Sequence, residues 1–101
     1  MVNIGITSLD NVVFPLNLQK INLSSNQITT IDNVVFPPNL QELQLLNNQI
    51  TNIDNVVFPQ SLQKLILSTN LLTNIQNVIF IFLYKFTYRC TFNFNKTLTI
   101  L

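Results

Sequence analysis

The sequence predicts a solenoid of stacked repeats with one short parallel β-strand in each repeat. The first observation is a fixed period of 22 residues: segments 18–39, 40–61 and 62–82 are near copies, and residues 1–17 match the later part of the same unit. Periods of about 20 to 50 residues are typical of solenoids, in which each repeat packs on its neighbours. The second observation is an alternation of apolar and polar residues within each segment, which favours a half-buried strand.

The strands are predicted at equivalent positions of the three full copies, at about Lys20–Ser24, Glu42–Leu46 and Lys64–Ser68. The chain of 101 residues is long enough for a single domain. The repeat decays after residue 82. Residues 83–101 are therefore either a degenerate final strand or cap, with the strand at about Phe86–Arg89, or an unrelated tail.

An asparagine follows each predicted strand at the same place in the repeat: Asn26, Asn48 and Asn70. A side-chain amide both donates and accepts hydrogen bonds, so it can satisfy backbone groups that a buried turn would leave unpaired. We therefore expect a ladder of structural asparagines rather than a polar binding site.

An aspartate also recurs with the same period, at Asp10, Asp32 and Asp54. Carboxylates are the usual ligands of calcium, but the fourth copy carries Gln76, a poor replacement for an anionic ligand. We favour a structural role, in which each aspartate or its neighbouring asparagine caps a short helical turn. The phenylalanines that follow are expected to form an aromatic spine on the convex side: Phe14, Phe36, Phe58 and Phe80.

The apolar positions spell L-x-x-L-x-L-x-x-N-x-L, as in Leu40, Leu43, Leu45, Asn48 and Ile50. Over about residues 1–82 the sequence resembles the leucine-rich repeat family, and its repeat length is similar to that of the phosphatase-regulatory subtype. It departs from that subtype in having Phe-Pro where a further leucine is usual. The resemblance implies an α/β right-handed solenoid, with a short parallel sheet on the concave side, extended or 3₁₀ segments on the convex side, and few or no long helices.

Composition argues against several classes of function. Only 9% of the residues are charged and the net charge is +1, so the chain has no field that would attract nucleic acid. A single cysteine excludes an internal disulfide. No signal peptide is visible, and the longest apolar run, Val78–Tyr84, is too short to span a bilayer. We therefore expect a cytoplasmic protein without membrane insertion, or an extracellular one if the chain is part of a longer receptor.

The residues needed for catalysis are missing from the sequence. There is no histidine, and the single glycine, Gly5, cannot form a phosphate-binding loop. Neither a nucleophile–histidine pair nor a set of metal ligands can be assembled from the remaining residues. We expect no catalytic, cofactor-binding or metal-binding residues, and no enzymatic activity.

The family resemblance implies binding of a protein partner through the concave strand face. Leu46 and Ile66 are large apolar residues predicted to point outward on adjacent strands, which makes them the favoured contact residues. The candidate binding residues are Lys20, Asn22, Ser24, Glu42, Gln44, Leu46, Lys64, Ile66 and Ser68. Three such strands present only about 200 Å², whereas each side of a standard interface buries about 800 Å².

The small size of this face bears on the function that we predict. We expect a non-catalytic protein-interaction module or scaffold that is part of a longer repeat array. Two alternatives stay open at this point. The chain could be a remnant of the ectodomain of a receptor or receptor-like kinase, or a truncated product without function.

Overall fold

The computed structural model describes residues 1–72 and 91–93, in which β-strands are the regular secondary structure. They form one parallel sheet in the order of the chain. The strands are β1 (Lys20–Asn22), β2 (Glu42–Gln44), β3 (Lys64–Ile66) and β4 (Thr91–Asn93). Within these two ranges there is no helix with the length and apolar character needed to cross a membrane.

The first three strands are paired with the repeat period as their register. Lys20 lies opposite Glu42, and Glu42 lies opposite Lys64. The central residues Ile21 and Leu43 are paired with each other, and both are buried. Successive side chains of a strand point to opposite faces of the sheet, so the residues on either side of them point away from the core. The period that is visible in the sequence therefore sets the register of the sheet.

The fourth strand differs from its predicted position. β4 pairs with β3 through Lys64 and Thr91, which lies farther along the chain than one repeat length. The predicted position at Phe86–Arg89 lies outside the described residues. The difference has a simple source, since the sequence after Phe80 has no second copy from which a register could be counted.

Each of the three repeat strands starts where predicted but ends two residues earlier. Shortly after the strand end, the backbone adopts a left-handed conformation at Ser25, Asn47 and Thr69, with φ of 58°, 59° and 57°. This conformation interrupts the extended backbone that a strand requires. Hydrogen bonding between repeats nevertheless continues, as in the bond from the Leu23 N–H to the Gln44 carbonyl (2.8 Å).

The aspartate segments form hydrogen-bonded turns instead of capped helical turns. In the first full repeat the Val34 N–H donates to the Ile31 carbonyl (3.3 Å), and the same bond occurs in the copies before and after it. The Asp32 N–H donates to the Thr30 hydroxyl (3.2 Å), while Oδ1 of Asp32 is buried without a hydrogen-bond partner. The prediction that the aspartate or its neighbouring asparagine caps a short helical turn is therefore wrong for this repeat. The Thr30 hydroxyl accepts from the Asp32 N–H, and the backbone forms a single hydrogen-bonded turn.

The core is a stack of equivalent apolar side chains, one layer per repeat. Leu23 and Leu45, each directly after its strand, are fully buried. The phenylalanines near the ends of the repeats, Phe14, Phe36 and Phe58, are also buried and belong to the same core. The rings of Phe36 and its neighbours lie nearly parallel, with centroids 6.3 Å from Phe14 and 6.2 Å from Phe58. These three rings form the predicted aromatic column, whereas Phe80 lies outside the described residues.

Candidate interaction surface

The sheet has one face in the core and one face that points outward. We call the outward face the strand face, and it comprises the alternate residues of the first three strands together with Leu46. Lys20, Asn22 and Lys64 are exposed, while Glu42, Gln44 and Ile66 are half-buried. Since the main-chain groups between these strands are paired, the side chains are what this face offers to a partner.

Leu46 gives the strand face its most exposed apolar group. Its side chain is 39% exposed, whereas that of the preceding residue, Leu45, is fully buried. Ile66, on the neighbouring strand, is half-buried. The two side chains place apolar surface beside polar groups, a combination found in protein-binding surfaces.

Ser24 and Ser68, which are predicted to face outward, are both buried and therefore not available to a partner. Beyond the strands the chain bends toward the asparagines, whose side-chain amides donate to the carbonyls of Ser24 and Ser68 at 3.4 Å. A serine side chain is too short to reach past this bend. Leu46 occupies the equivalent position, but its longer side chain stays in part accessible.

A small polar network crosses the strand face. Nε2 of Gln44 donates to Oε2 of Glu42 (2.9 Å), and Lys64 Nζ lies 3.6 Å from Oε1 of the same carboxylate. The hydrogen bond from Gln44, followed by the charges of Lys64 and Lys20, holds the pKa of Glu42 below its ordinary value of 4.5, against an opposing effect of burial. Both partners of the ion pair reach solvent, so the pair adds little stability.

The predicted asparagine ladder forms hydrogen bonds within and between repeats. Oδ1 of Asn48 accepts from the Ile28 N–H (3.2 Å), and its Nδ2 donates to the carbonyls of Leu23 (3.0 Å) and Leu45 (3.1 Å). Equivalent bonds are made by the other two members, Asn26 and Asn70. The donors and acceptors of these amides are used inside the fold, so the ladder offers little to a ligand.

The sequence interpretation missed a row of exposed valines, which we call the valine row. Val13, Val35 and Val57 are 90%, 82% and 75% exposed, although each follows a valine that is half-buried or buried. The signal was present as the second valine of each Val-Val pair. Alternation alone could not show which of the two pointed outward, because these residues lie in a turn segment rather than a strand.

Metal binding by the recurring aspartates has no support in the geometry. Within residues 1–72 and 91–93, no three side chains of His, Cys, Asp or Glu come together as a set that could hold a metal ion. Asp10, Asp32 and Asp54 each lie in the turn of a different repeat.

Comparison with known families agrees with the pattern of the repeats. The sequence model described as Leucine Rich Repeat matches residues 17–37, which include β1 and the asparagine that follows it. Neither a curated protein nor a solved structure matches the chain.

Proposed function

Because this chain is a leucine-rich repeat protein, we propose that it is a non-catalytic protein-interaction module that binds its partner through the strand face. The observation that carries the proposal is the exposure of Leu46 directly beside the fully buried Leu45. Leu46 lies two residues beyond the end of β2, and its side chain is only partly buried in the monomer. Burial of the remaining apolar surface against a partner would lower the free energy of the complex.

The polar groups of the strand face support recognition of a protein surface. Lys20 is exposed, and Lys64 keeps about half of its side chain accessible even though it pairs with Glu42. Interfaces combine a small apolar centre with a polar rim. Leu46 and Ile66 supply the centre in this arrangement, and the lysines with Asn22 supply the rim.

The area of the face sets the expected strength of binding. Three strands about 4.8 Å apart form a platform of about 200 Å², well below the usual area of a stable interface. We propose that the module either binds weakly by itself or acts as part of a longer array. The partner is a protein whose contact surface pairs aliphatic groups with carboxylates or amides.

Competition in a crosslinking experiment tests this proposal. A photo-crosslinking residue is placed at Gln44, the protein is irradiated in the presence of cell extract, and the adducts are quantified. Unlabelled wild-type chain should suppress the adducts, whereas a chain carrying Leu46→Ser and Ile66→Ser should not. A chain with Val57→Thr, at an exposed valine that shares no groove with the strand face, should compete like the wild type.

The proposal fails if the Leu46→Ser, Ile66→Ser chain competes as well as the wild-type chain. It also fails if a folded wild-type chain produces no competitor-sensitive adduct. Circular dichroism of the competitors shows that they are folded before competition is compared.

A further inference from the structure

A second apolar surface lies apart from the strand face, in a groove beside the valine row. The groove encloses about 450 Å³, and its apolar lining includes Val35, Phe36, Val57 and Pro59. No residue of the strand face lines it. We call it the Val35–Val57 groove, since these two exposed valines come from consecutive repeats.

The valines beside this groove are unusually open to solvent. Val35 is 82% and Val57 is 75% exposed, whereas the preceding Val34 and Val56 are buried. Single exposed apolar residues are ordinary on protein surfaces. The same apolar residue on consecutive repeats, next to a concave apolar lining, is instead typical of a contact site.

Among residues 1–72, the charged side chain that lines the groove is acidic. Asp32 lines the groove, and Asp10 and Asp54 occupy the same place in the neighbouring repeats. Within residues 1–72 the side-chain cations are Lys20 and Lys64, both in strands and neither in the groove lining. In the part of the chain that the structure describes, the groove therefore combines apolar walls with one carboxylate at its border.

The carboxylate at the border of the groove is half-buried. Oδ1 of Asp32 is shielded from solvent and makes no hydrogen bond, but the residue as a whole keeps part of its surface accessible. A cationic side chain in the groove can pair with the accessible part of this carboxylate.

From these observations we propose that the Val35–Val57 groove binds a polypeptide segment in which an arginine or lysine lies between aliphatic side chains. The aliphatic groups contact Val35 and Val57, and the cation pairs with Asp32. Dimerisation through this groove is disfavoured, because it would bring the Asp32 carboxylates of the two copies together. An anionic membrane is disfavoured for the same reason.

The test uses short fluorescent peptides and the full chain. One peptide alternates leucine with arginine, a second replaces each arginine by neutral citrulline, and a third replaces each leucine by serine. Fluorescence anisotropy measures binding at low and at physiological salt. We expect the first peptide to bind at least about tenfold more tightly than either of the others. The citrulline peptide loses the charge that pairs with Asp32, and the serine peptide loses the apolar contacts with the valines.

Variants of the chain locate the site. Val35→Thr with Val57→Thr keeps the side-chain shape and should weaken the leucine–arginine peptide about tenfold. Asp32→Asn should weaken it severalfold at low salt and less at high salt, because salt screens the charge. Val13→Thr is the matched control, since Val13 is equally exposed but does not line this groove, and it should leave the affinity unchanged.

Each contrary outcome overturns the proposal. The proposal is wrong if the three peptides bind alike, or if Val13→Thr weakens binding as much as the groove variants do. It is also wrong if the leucine–arginine peptide does not bind to a chain whose thermal midpoint shows that it is folded. Sedimentation could also show a dimer that the groove variants dissociate, and the occupant would then be a second copy. Leu46→Ser should not change peptide affinity, which separates this site from the strand face.

Discussion

The side chain of Asn48 is hydrogen-bonded to the carbonyl of Leu23, at the equivalent point of the preceding repeat. Its Nδ2 lies 3.0 Å from that oxygen and 3.1 Å from the carbonyl of Leu45 in its own repeat. One amide thus joins two consecutive turns of chain at the place where both leave the sheet. Asn70 repeats the arrangement one turn later, with 2.9 Å to the Leu45 carbonyl.

Asn48→Ala tests this joint. It leaves the buried Ile28 N–H without its side-chain acceptor. The carbonyls of Leu23 and Leu45 each lose one donor, but they keep hydrogen bonds from Asn26 and Asn70. We expect the free energy of unfolding to fall by about 2 kcal/mol, the cost of leaving one buried polar group unsatisfied. Urea unfolding measures the change, and Asn52→Ala, at an exposed asparagine of the same repeat, should stay within about 0.5 kcal/mol. A loss below about 1 kcal/mol for Asn48→Ala would contradict the structural role.

Much of the sheet could be predicted from the sequence, because its two signals are physical. Alternation identified the starts of β1, β2 and β3, and the 22-residue period gave their register. The strand ends could not be predicted, since the left-handed residues include Ser25 and Thr69 rather than glycine. The right-handed coiling of the stack stays a prediction.

The candidate site was predictable only where the alternation continued. Leu46 is exposed as expected, whereas Ser24 and Ser68 are drawn into the bend that carries the asparagines. Alternation assumes an extended backbone, and that assumption ends with the strand. The valine row was missed for the same reason, because Val35 follows a turn, where the alternation of a strand does not apply.

Thr69→Asn should stabilise the chain. Thr69 adopts φ of 57°, an unfavourable conformation for a β-branched residue. The equivalent residue of the preceding repeat is Asn47, a type that tolerates this conformation. We expect the free energy of unfolding to rise by about 0.5 kcal/mol, measured as a higher urea midpoint.

Thr51→Asn is the control for this change, because Thr51 is exposed and its φ is not positive. It should leave the midpoint unchanged. A Thr69→Asn chain that is no more stable than the wild type would show that the hydroxyl or methyl group of Thr69 outweighs the backbone strain.

Gln44→Ala should raise the pKa of Glu42. The hydrogen bond from Gln44 is the largest of the effects that lower this pKa, and the charge of Lys64 is a smaller one. Side-chain carboxyl NMR over a pH titration measures the value. Lys64→Met removes both the charge of Lys64 and its hydrogen bond, so it should also raise the pKa. An unchanged pKa in Gln44→Ala would contradict the assigned cause.

The same carboxylate gives a small pH dependence of stability. Because the folded pKa of Glu42 is below its ordinary 4.5, its stabilising effect is present above about pH 4.5 and is lost as the pH falls through the folded value. The effect is a few tenths of a kcal/mol, since the ion pair is solvent-accessible. In Glu42→Gln this part of the pH dependence of the urea midpoint should disappear, and an unchanged profile would contradict it.

The most direct test of the account compares two adjacent leucines, Leu45 and Leu46, because the strand register assigns one to the core and the other to the strand face. Leu45→Ala should lower the free energy of unfolding by about 2–5 kcal/mol, as expected for a cavity at a fully buried position. Leu46→Ser should lower it by about 1 kcal/mol, because the Leu46 side chain is only partly buried. Urea unfolding of the two variants gives both numbers. Equal losses, or a larger loss for Leu46→Ser, would place Leu46 in the core and contradict the proposed interaction surface.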